Sequence, residues 1–218
     1  MNFSEIKYCD IANGIGVRTS LFVSGCRRHC PGCFNECTWP FDSGSPYTKE
    51  TENAIIESLK PGFVRGISLL GGEPFEPENQ GPVLELLRRV RSELPEKDVW
   101  CYTGFTFEEL SLSTDVKSSA SQTGHWRVDT EKEREEAADG AGARSGVSRA
   151  ATPIVWELLR MIDVLVDGPF ILDKKDISLA FRGSSNQRVL NLPATLREGK
   201  IVLWEEELPS RPASTLFL

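Results

Sequence analysis

Cys26, Cys30 and Cys33 stand in the stretch Gly25-Cys-Arg-Arg-His-Cys-Pro-Gly-Cys-Phe34, directly after the apolar run Leu21-Phe22-Val23. Thiolates are ligands of soft metals and of iron–sulfur clusters, so a CxxxCxxC spacing points to metal chemistry. Their odd number narrows the choice. A structural zinc site takes four ligands and is closed. An ordinary [4Fe–4S] cluster also takes four cysteines. Three thiolates in one loop leave one iron of a cubane without a protein ligand, open to a substrate or cofactor. The alternative is zinc, with Cys37 or His29 as the fourth ligand.

A second motif, Gly71-Gly72-Glu73-Pro74, closes the apolar run Ile67-Ser68-Leu69-Leu70, which reads as a buried parallel strand. Glycines at a strand's end let the backbone come close to a ligand, because neither carries a Cβ. Ligands of open α/β sheets collect at that edge, and Glu73 can accept from an ammonium group. Alone, GGEP is a tight turn in most proteins. After a three-cysteine loop it resembles the segment that holds the methionine amino group of S-adenosylmethionine (SAM) in radical SAM enzymes.

The elements that must position these motifs can be traced along the chain. Arg18 to Val23 reads as a first strand, followed by the cysteine loop. Thr48 can cap a helix to about Leu59, with Glu50 and Glu52 in its first turn and Ala54, Ile55, Ile56 and Leu59 as its apolar stripe. After the Ile67–Leu70 strand, Pro82 suits a first helical residue, and Val83, Leu84, Leu86, Leu87, Val90 and Leu94 mark the buried side of a helix ending at Pro95. Asp98 to Thr103 and Ile162 to Val166 read as further strands, and Lys200 to Glu207 as a possible edge strand. The alternation predicts an α/β fold with a mostly parallel sheet. From about Ser113 to Ala151 the chain is rich in Ser, Ala, Gly, Glu and Arg, and it is expected to be a disordered or weakly helical, low-complexity insertion.

Bulk properties bound the function. The 218 residues suffice for one well-buried core, and 39% apolar with 26% charged residues fits a globular protein. A net charge of −7 argues against general binding to nucleic acid or anionic membrane. No apolar run approaches the roughly 20 residues needed to span a bilayer, and no secretory signal is visible at Met1-Asn2-Phe3-Ser4-Glu5. Six cysteines without such a signal favour metal over disulfides, which places the chain in the cytoplasm.

Together these residues resemble the activating proteins of anaerobic ribonucleoside-triphosphate reductase, a family of small radical SAM enzymes. The likeness runs through Asn13-Gly14-Ile15-Gly16-Val17-Arg18, the cysteine loop, Thr38-Trp39, GGEP and Tyr102-Thr103-Gly104-Phe105-Thr106. It ends with Asp163-Val164-Leu165-Val166-Asp167-Gly168-Pro169-Phe170 and Phe181-Arg182-Gly183-Ser184-Ser185-Asn186-Gln187-Arg188, the two blocks that discriminate best. The insertion departs from the compact family pattern. The resemblance implies a single radical SAM domain over 1–218, folded as a partial, open β/α barrel, with 113–151 inserted in it. It implies a [4Fe–4S] cluster on Cys26, Cys30 and Cys33, and SAM held near Gly32, Phe34, Gly71, Gly72 and Glu73. Such enzymes take an electron from an external donor, cleave SAM to methionine and a 5′-deoxyadenosyl radical, and leave a glycyl radical on the reductase. No residue of the chain is then catalytic in itself, because the cofactors carry the chemistry.

The remaining candidates have two readings each. Arg18, Arg182 and Arg188 can meet a carboxylate through paired hydrogen bonds, or be structural. Asp167 can reach SAM or its ribose, or cap a turn, and Asn186-Gln187 can bond the backbone of an inserted partner loop. Cys9, Cys37 and Cys101 read as bystanders, Cys101 in the core, and His29 as a solvated loop residue. Competing functions are activation of another glycyl-radical enzyme such as pyruvate formate-lyase, a small-molecule radical SAM reaction such as deazapurine synthesis, and a non-catalytic zinc-binding module.

Overall fold

A computed structural model of the chain describes residues 1–111 and 148–205. Its centre is a seven-stranded sheet: β1 (Asn2–Asp10), β2 (Val17–Val23), β3 (Ser45–Pro46), β4 (Val64–Gly71), β5 (Asp98–Tyr102), β6 (Val164–Asp167) and β7 (Arg188–Asn191). The order across the sheet is β3-β1-β2-β4-β5-β6-β7. The middle strands β2, β4, β5 and β6 run parallel, in the register Leu21↔Leu69↔Cys101↔Leu165. β1 and β7 flank them antiparallel. The four parallel strands match the expected ones, but the two antiparallel neighbours were not expected. β1 (NFSEIKYCD) is mostly polar and has no fully buried residue, so it lacks the apolar run of a central strand. β7 (RVLN) is only four residues long, too short to show an apolar period.

Helices cover one face: α1 (Lys49–Leu59), α2 (Pro77–Glu93), α3 (Phe107–Ser111), α4 (Val155–Arg160) and α5 (Leu192–Glu198). Thr48 caps α1 as expected, its hydroxyl accepting from Thr51 N–H. Ile55, Ile56 and Leu59 from α1 and Val83, Leu86, Leu87 and Val90 from α2 pack with Leu21, Leu69, Val99 and Leu165 of the sheet in one core. α2 begins five residues before Pro82, because Pro77 takes the first-turn position where a missing N–H is harmless. Pro82 instead lies inside the helix. The other face carries a smaller cluster of Trp100, Val164 and Val166 beneath Phe181 and Trp204, whose rings meet Trp100 edge-on at 5.0 and 5.2 Å.

The expected last strand is reduced to one bridge, Leu203 to Leu190, and residues 206 and 207 of it lie outside the described residues. Most of the expected insertion, 112–147, also lies outside them. Its final residues do not behave as low-complexity chain: Ala150 is buried in the core and its carbonyl accepts from Gln80 Nε2 at 2.8 Å. Among the described residues no helix is long and apolar enough to cross a membrane.

Candidate functional site

β2 delivers the cysteine loop at the C-terminal edge of the parallel strands. Gly25 N–H donates to Thr38 O at 2.8 Å and Cys26 N–H to Trp39 O at 3.0 Å, so the loop's return segment is zipped to its base. At the far end, Cys33 N–H donates to Cys30 O at 3.1 Å across Pro31-Gly32, with Gly32 at φ +70°. This is a type II turn, which presets Pro at its first corner and needs a left-handed residue at its second. The turn brings two of the three thiols together.

Asn35 N–H donates to Cys33 Sγ at 3.3 Å. The backbone N–H groups of Arg28 and His29 oppose the rise that burial imposes on the Cys26 thiol, and that of Phe170 opposes it at Cys30. Such donors stabilise the charge on thiolates and on a reduced cluster. Without metal, burial still pushes the Cys26 thiol up to about 11 and raises that of Cys30, where Arg28 opposes the rise. Metal takes the proton's place on such sulfurs. Among the described residues no three His, Cys, Asp or Glu side chains converge on a single-ion site. In a cubane each thiolate binds a different iron, so the sulfurs need not converge. The donor set therefore fits an iron–sulfur cluster.

GGEP is the next wall. Gly72 N–H donates to Val23 O at 2.7 Å and Glu73 N–H to Gly25 O at 2.9 Å. A Cβ on Gly71, which sits at φ +103°, would stand 2.7 Å from Val23 O, and one on Gly72 would stand 2.7 Å from Gly25 O. Both glycines thus permit close contact with the base of the cysteine loop. Glu73 is 1% exposed, and burial raises its carboxyl against three donors of the chain itself. Oε1 accepts from Phe75 N–H at 2.9 Å and Thr103 Oγ1 at 2.8 Å, and Oε2 from Gly104 N–H at 2.8 Å. This carboxylate braces the end of β4 to the end of β5.

Several residues that sequence reasoning missed hold the two motifs in register. Glu76, fully buried, accepts from Arg27 N–H at 3.0 Å and forms ion pairs with Arg27 at 2.8 Å and Arg149 at 3.1 Å. Asn79 Nδ2 donates to both Ser24 O and Glu73 O, at 3.0 and 2.9 Å. Arg28 lies 4.4 Å over the Phe105 ring and pairs with Glu109 of α3 at 3.0 Å. The available signal was position: Glu76 and Asn79 follow GGEP on the first turn of α2, where buried polar side chains have no apolar pattern to announce them.

The loop between β6 and β7 closes the edge. Phe170 packs 5.1 Å from the Phe34 ring, and a Cβ on Gly32 would meet Leu172 Cδ1 at 2.9 Å. Asn186 Nδ2 donates to Pro169 O at 2.8 Å and Gln187 Nε2 to Gly168 O at 3.1 Å, so this pair bonds backbone of its own loop. Arg182 donates to Gln187 O at 2.8 Å. Asp167 is fully buried, accepting from Phe107 N–H at 2.7 Å and from Arg188, whose guanidinium also pairs with Glu108. Burial pushes the Asp167 carboxyl up while Arg188 opposes it.

Other candidates fall outside the edge. Arg18 is fully buried at the start of β2, about 16 Å of strand from Val23. There it pairs with Asp98 and donates to Ser68 Oγ at 2.7 Å and Ile67 O at 2.8 Å. Cys101 is buried in β5, while Cys9 and Cys37 are exposed. His29 is exposed, as expected of a solvated loop residue, and its ring stacks on Trp39 at 4.5 Å with its backbone at φ +47°. A cavity of about 490 Å³ opens at the opposite edge, beside Ile15, Arg65, Asp98, Trp100 and Trp204, remote from the thiols.

Some buried polar atoms near the C-terminal edge have no hydrogen-bond partner among the described residues: Ser24 Oγ, Arg28 Nε and Asn186 Oδ1. Orphaned atoms are costly unless a ligand or water meets them. Their position around the cysteine loop fits a polar ligand beside the thiols.

Known proteins are similar to this chain in sequence. The profile of the 4Fe–4S single cluster domain matches residues 12–141 and 145–190. The anaerobic ribonucleoside-triphosphate reductase-activating protein of Escherichia coli (strain K12) is 38% identical over 194 residues, spanning 88% of this chain and 99% of its own. That of Vibrio cholerae is 38% identical over 189 residues, 86% of this chain and 96% of its own. That of Enterobacteria phage T4 is 30% identical over 189 residues, 87% of this chain and 93% of its own.

Proposed function

The chain belongs to the anaerobic ribonucleoside-triphosphate reductase-activating proteins and to the 4Fe–4S single cluster domain family, and from that membership we propose that it is a radical SAM enzyme that places a glycyl radical on such a reductase. The observation that carries the reading is the loop of Cys26, Cys30 and Cys33 at the C-terminal edge of the parallel strands, held by backbone bonds to Thr38 and Trp39 and by the Cys30–Cys33 turn. Bound there, a [4Fe–4S] cluster and SAM supply one-electron chemistry that ends with a hydrogen atom moved from the target glycine to the adenosyl carbon. An external donor provides the electron.

The chain's own residues hold and shape the site. The three thiolates bind three irons, and the N–H groups near the sulfurs favour the more negative, reduced cluster. Gly71 and Gly72 let the GGEP backbone lie against the cysteine loop. Glu73 Oε2, with one N–H donor, retains a lone pair for the SAM ammonium. In this reading Gly32 and Phe34 at the loop's tip meet the adenine, which the Phe34 ring packed on Phe170 supports. Asn186 Oδ1, which has no partner among the described residues, offers an acceptor to a bound nucleoside.

The same reading takes the sheet as the open β/α barrel of radical SAM proteins, with SAM across the C-terminal ends of its parallel strands. It places the protein in the cytoplasm, where thiols stay reduced. A net charge of −7 supports the absence of nucleic-acid and membrane partners. The test is anaerobic reconstitution with iron and sulfide, then incubation with SAM and a strong reductant. Methionine and 5′-deoxyadenosine should form in equal amounts. A protein that takes up one zinc, no acid-labile sulfide, and leaves SAM intact contradicts the reading.

A further inference from the structure

The cysteine loop presents apolar surface to solvent. Phe34, beside the last thiol, is 62% exposed, Leu172 49% and Ile177 90%. Phe34 and Leu172 flank the same turn, and Ile177 follows on the loop that carries Leu172. Leu172 abuts Gly32, and Lys175, two residues before Ile177, holds its ammonium 5.0 Å over the Phe34 ring. The segment is exposed yet ordered. Lys174 N–H donates to Ile171 O at 3.0 Å, Asp176 N–H to Gly183 O at 3.1 Å, and Ser185 N–H to Lys174 O at 2.9 Å. Asp176 also accepts from Ser178 N–H and Oγ. Residues 172–178 are therefore held out in water by backbone bonds that do not depend on burying Leu172 or Ile177.

We propose that Phe34, Leu172 and Ile177 form the docking surface for the glycine-bearing segment of the reductase. The inference rests on the function proposed above, and the reach of the chemistry selects the occupant. Hydrogen transfer needs reacting atoms about 3–3.5 Å apart. The target backbone must therefore come to the cysteine loop, and the surface flanking that loop is what it meets. A partner there covers the exposed apolar side chains, and a preordered loop lowers the entropic cost of docking. Exposed apolar residues at the other edge, Ile11 before β2 and Phe63 before β4, have no such neighbour and serve as controls.

The experiment measures affinity of the reconstituted protein for its cognate reductase, with SAM cleavage in the absence of the reductase as a second readout. Ile177→Asp should raise Kd about tenfold or more, equivalent to ~1.4 kcal/mol, while its uncoupled SAM cleavage stays at the wild-type rate. Leu172→Asp should weaken binding likewise, Ile177→Leu should restore it, and Ile11→Asp and Phe63→Asp should leave Kd within about twofold. An unchanged Kd for Ile177→Asp and Leu172→Asp overturns the proposal. So does loss of self-association with reductase affinity intact, which assigns the patch to a second copy of the chain. A wild-type protein that cleaves no SAM and binds no reductase instead overturns the function on which the surface rests.

Discussion

Cys26, Cys30 and Cys33 differ from the other three cysteines in what surrounds their sulfur atoms. Burial raises the thiols of Cys26 and Cys30 while nearby backbone N–H groups oppose the rise, and Cys33 accepts from Asn35 in the turn that follows it. Cys37 stands exposed on the short 3-10 turn Glu36–Thr38. Replacing any of the first three by alanine should abolish cluster assembly, whereas Cys9→Ala and Cys37→Ala should keep iron and acid-labile sulfide near wild type. Iron and sulfide analysis with the visible absorption spectrum checks this. Loss of the cluster in Cys37→Ala would show a four-thiolate site and close the open iron. The spacing of the three cysteines and the loop that carries them were legible in the sequence because both are local. The role of Glu73 was only half legible: its carboxylate is met by Thr103 and Gly104, thirty and thirty-one residues further on. No spacing rule encodes that contact. The same holds for Arg18, where a motif-bearing arginine proves to be a buried brace for Ser68, Ile67 and Asp98.

Buried ion pairs join the elements at the C-terminal edge. Asp167 ends β6, Arg188 begins β7, Glu108 lies on α3, and Phe107 N–H points at Asp167. Removing the guanidinium leaves a fully buried carboxylate without its cation, which typically costs about 3–5 kcal/mol. Arg188→Met should therefore lower unfolding free energy in urea by roughly that amount. Adding Asp167→Asn should recover part of the loss, since the uncompensated charge disappears. If Arg188→Met unfolds like wild type, this pair does not hold β6, β7 and α3 together. The parallel strands and α1 could be read from apolar runs, a capping threonine and acidic first-turn residues. The strands β1 and β7 could not, because a half-buried polar strand and a four-residue strand with one buried side chain lack the signature of a buried run. The start of α2 was misplaced because two prolines compete for it, and only the fold shows Pro77 in the first turn.

Across the whole molecule, four parallel strands carry the site on one edge, while helices bury the apolar core on one face. The cysteine loop, GGEP, the turn after β5 and the β6–β7 loop all reach that edge, although they lie far apart in sequence. Glu76 and Arg149 join it to the first residues described after position 147. The fold class was legible because strand and helix patterns alternate, and the edge followed from the parallel direction. How the loops lock to one another was not, since it depends on buried polar contacts between distant residues. Function follows from bringing a reactive centre to a surface that a second protein can reach. The most direct measurement is electron paramagnetic resonance on an anaerobic mixture of the reconstituted protein, SAM, reductant and the cognate reductase. A glycyl-radical doublet should appear on the reductase only when all four are present, and should be absent with Cys30→Ala. SAM consumption without any radical on the reductase, accompanied by turnover of a small metabolite, would contradict the account.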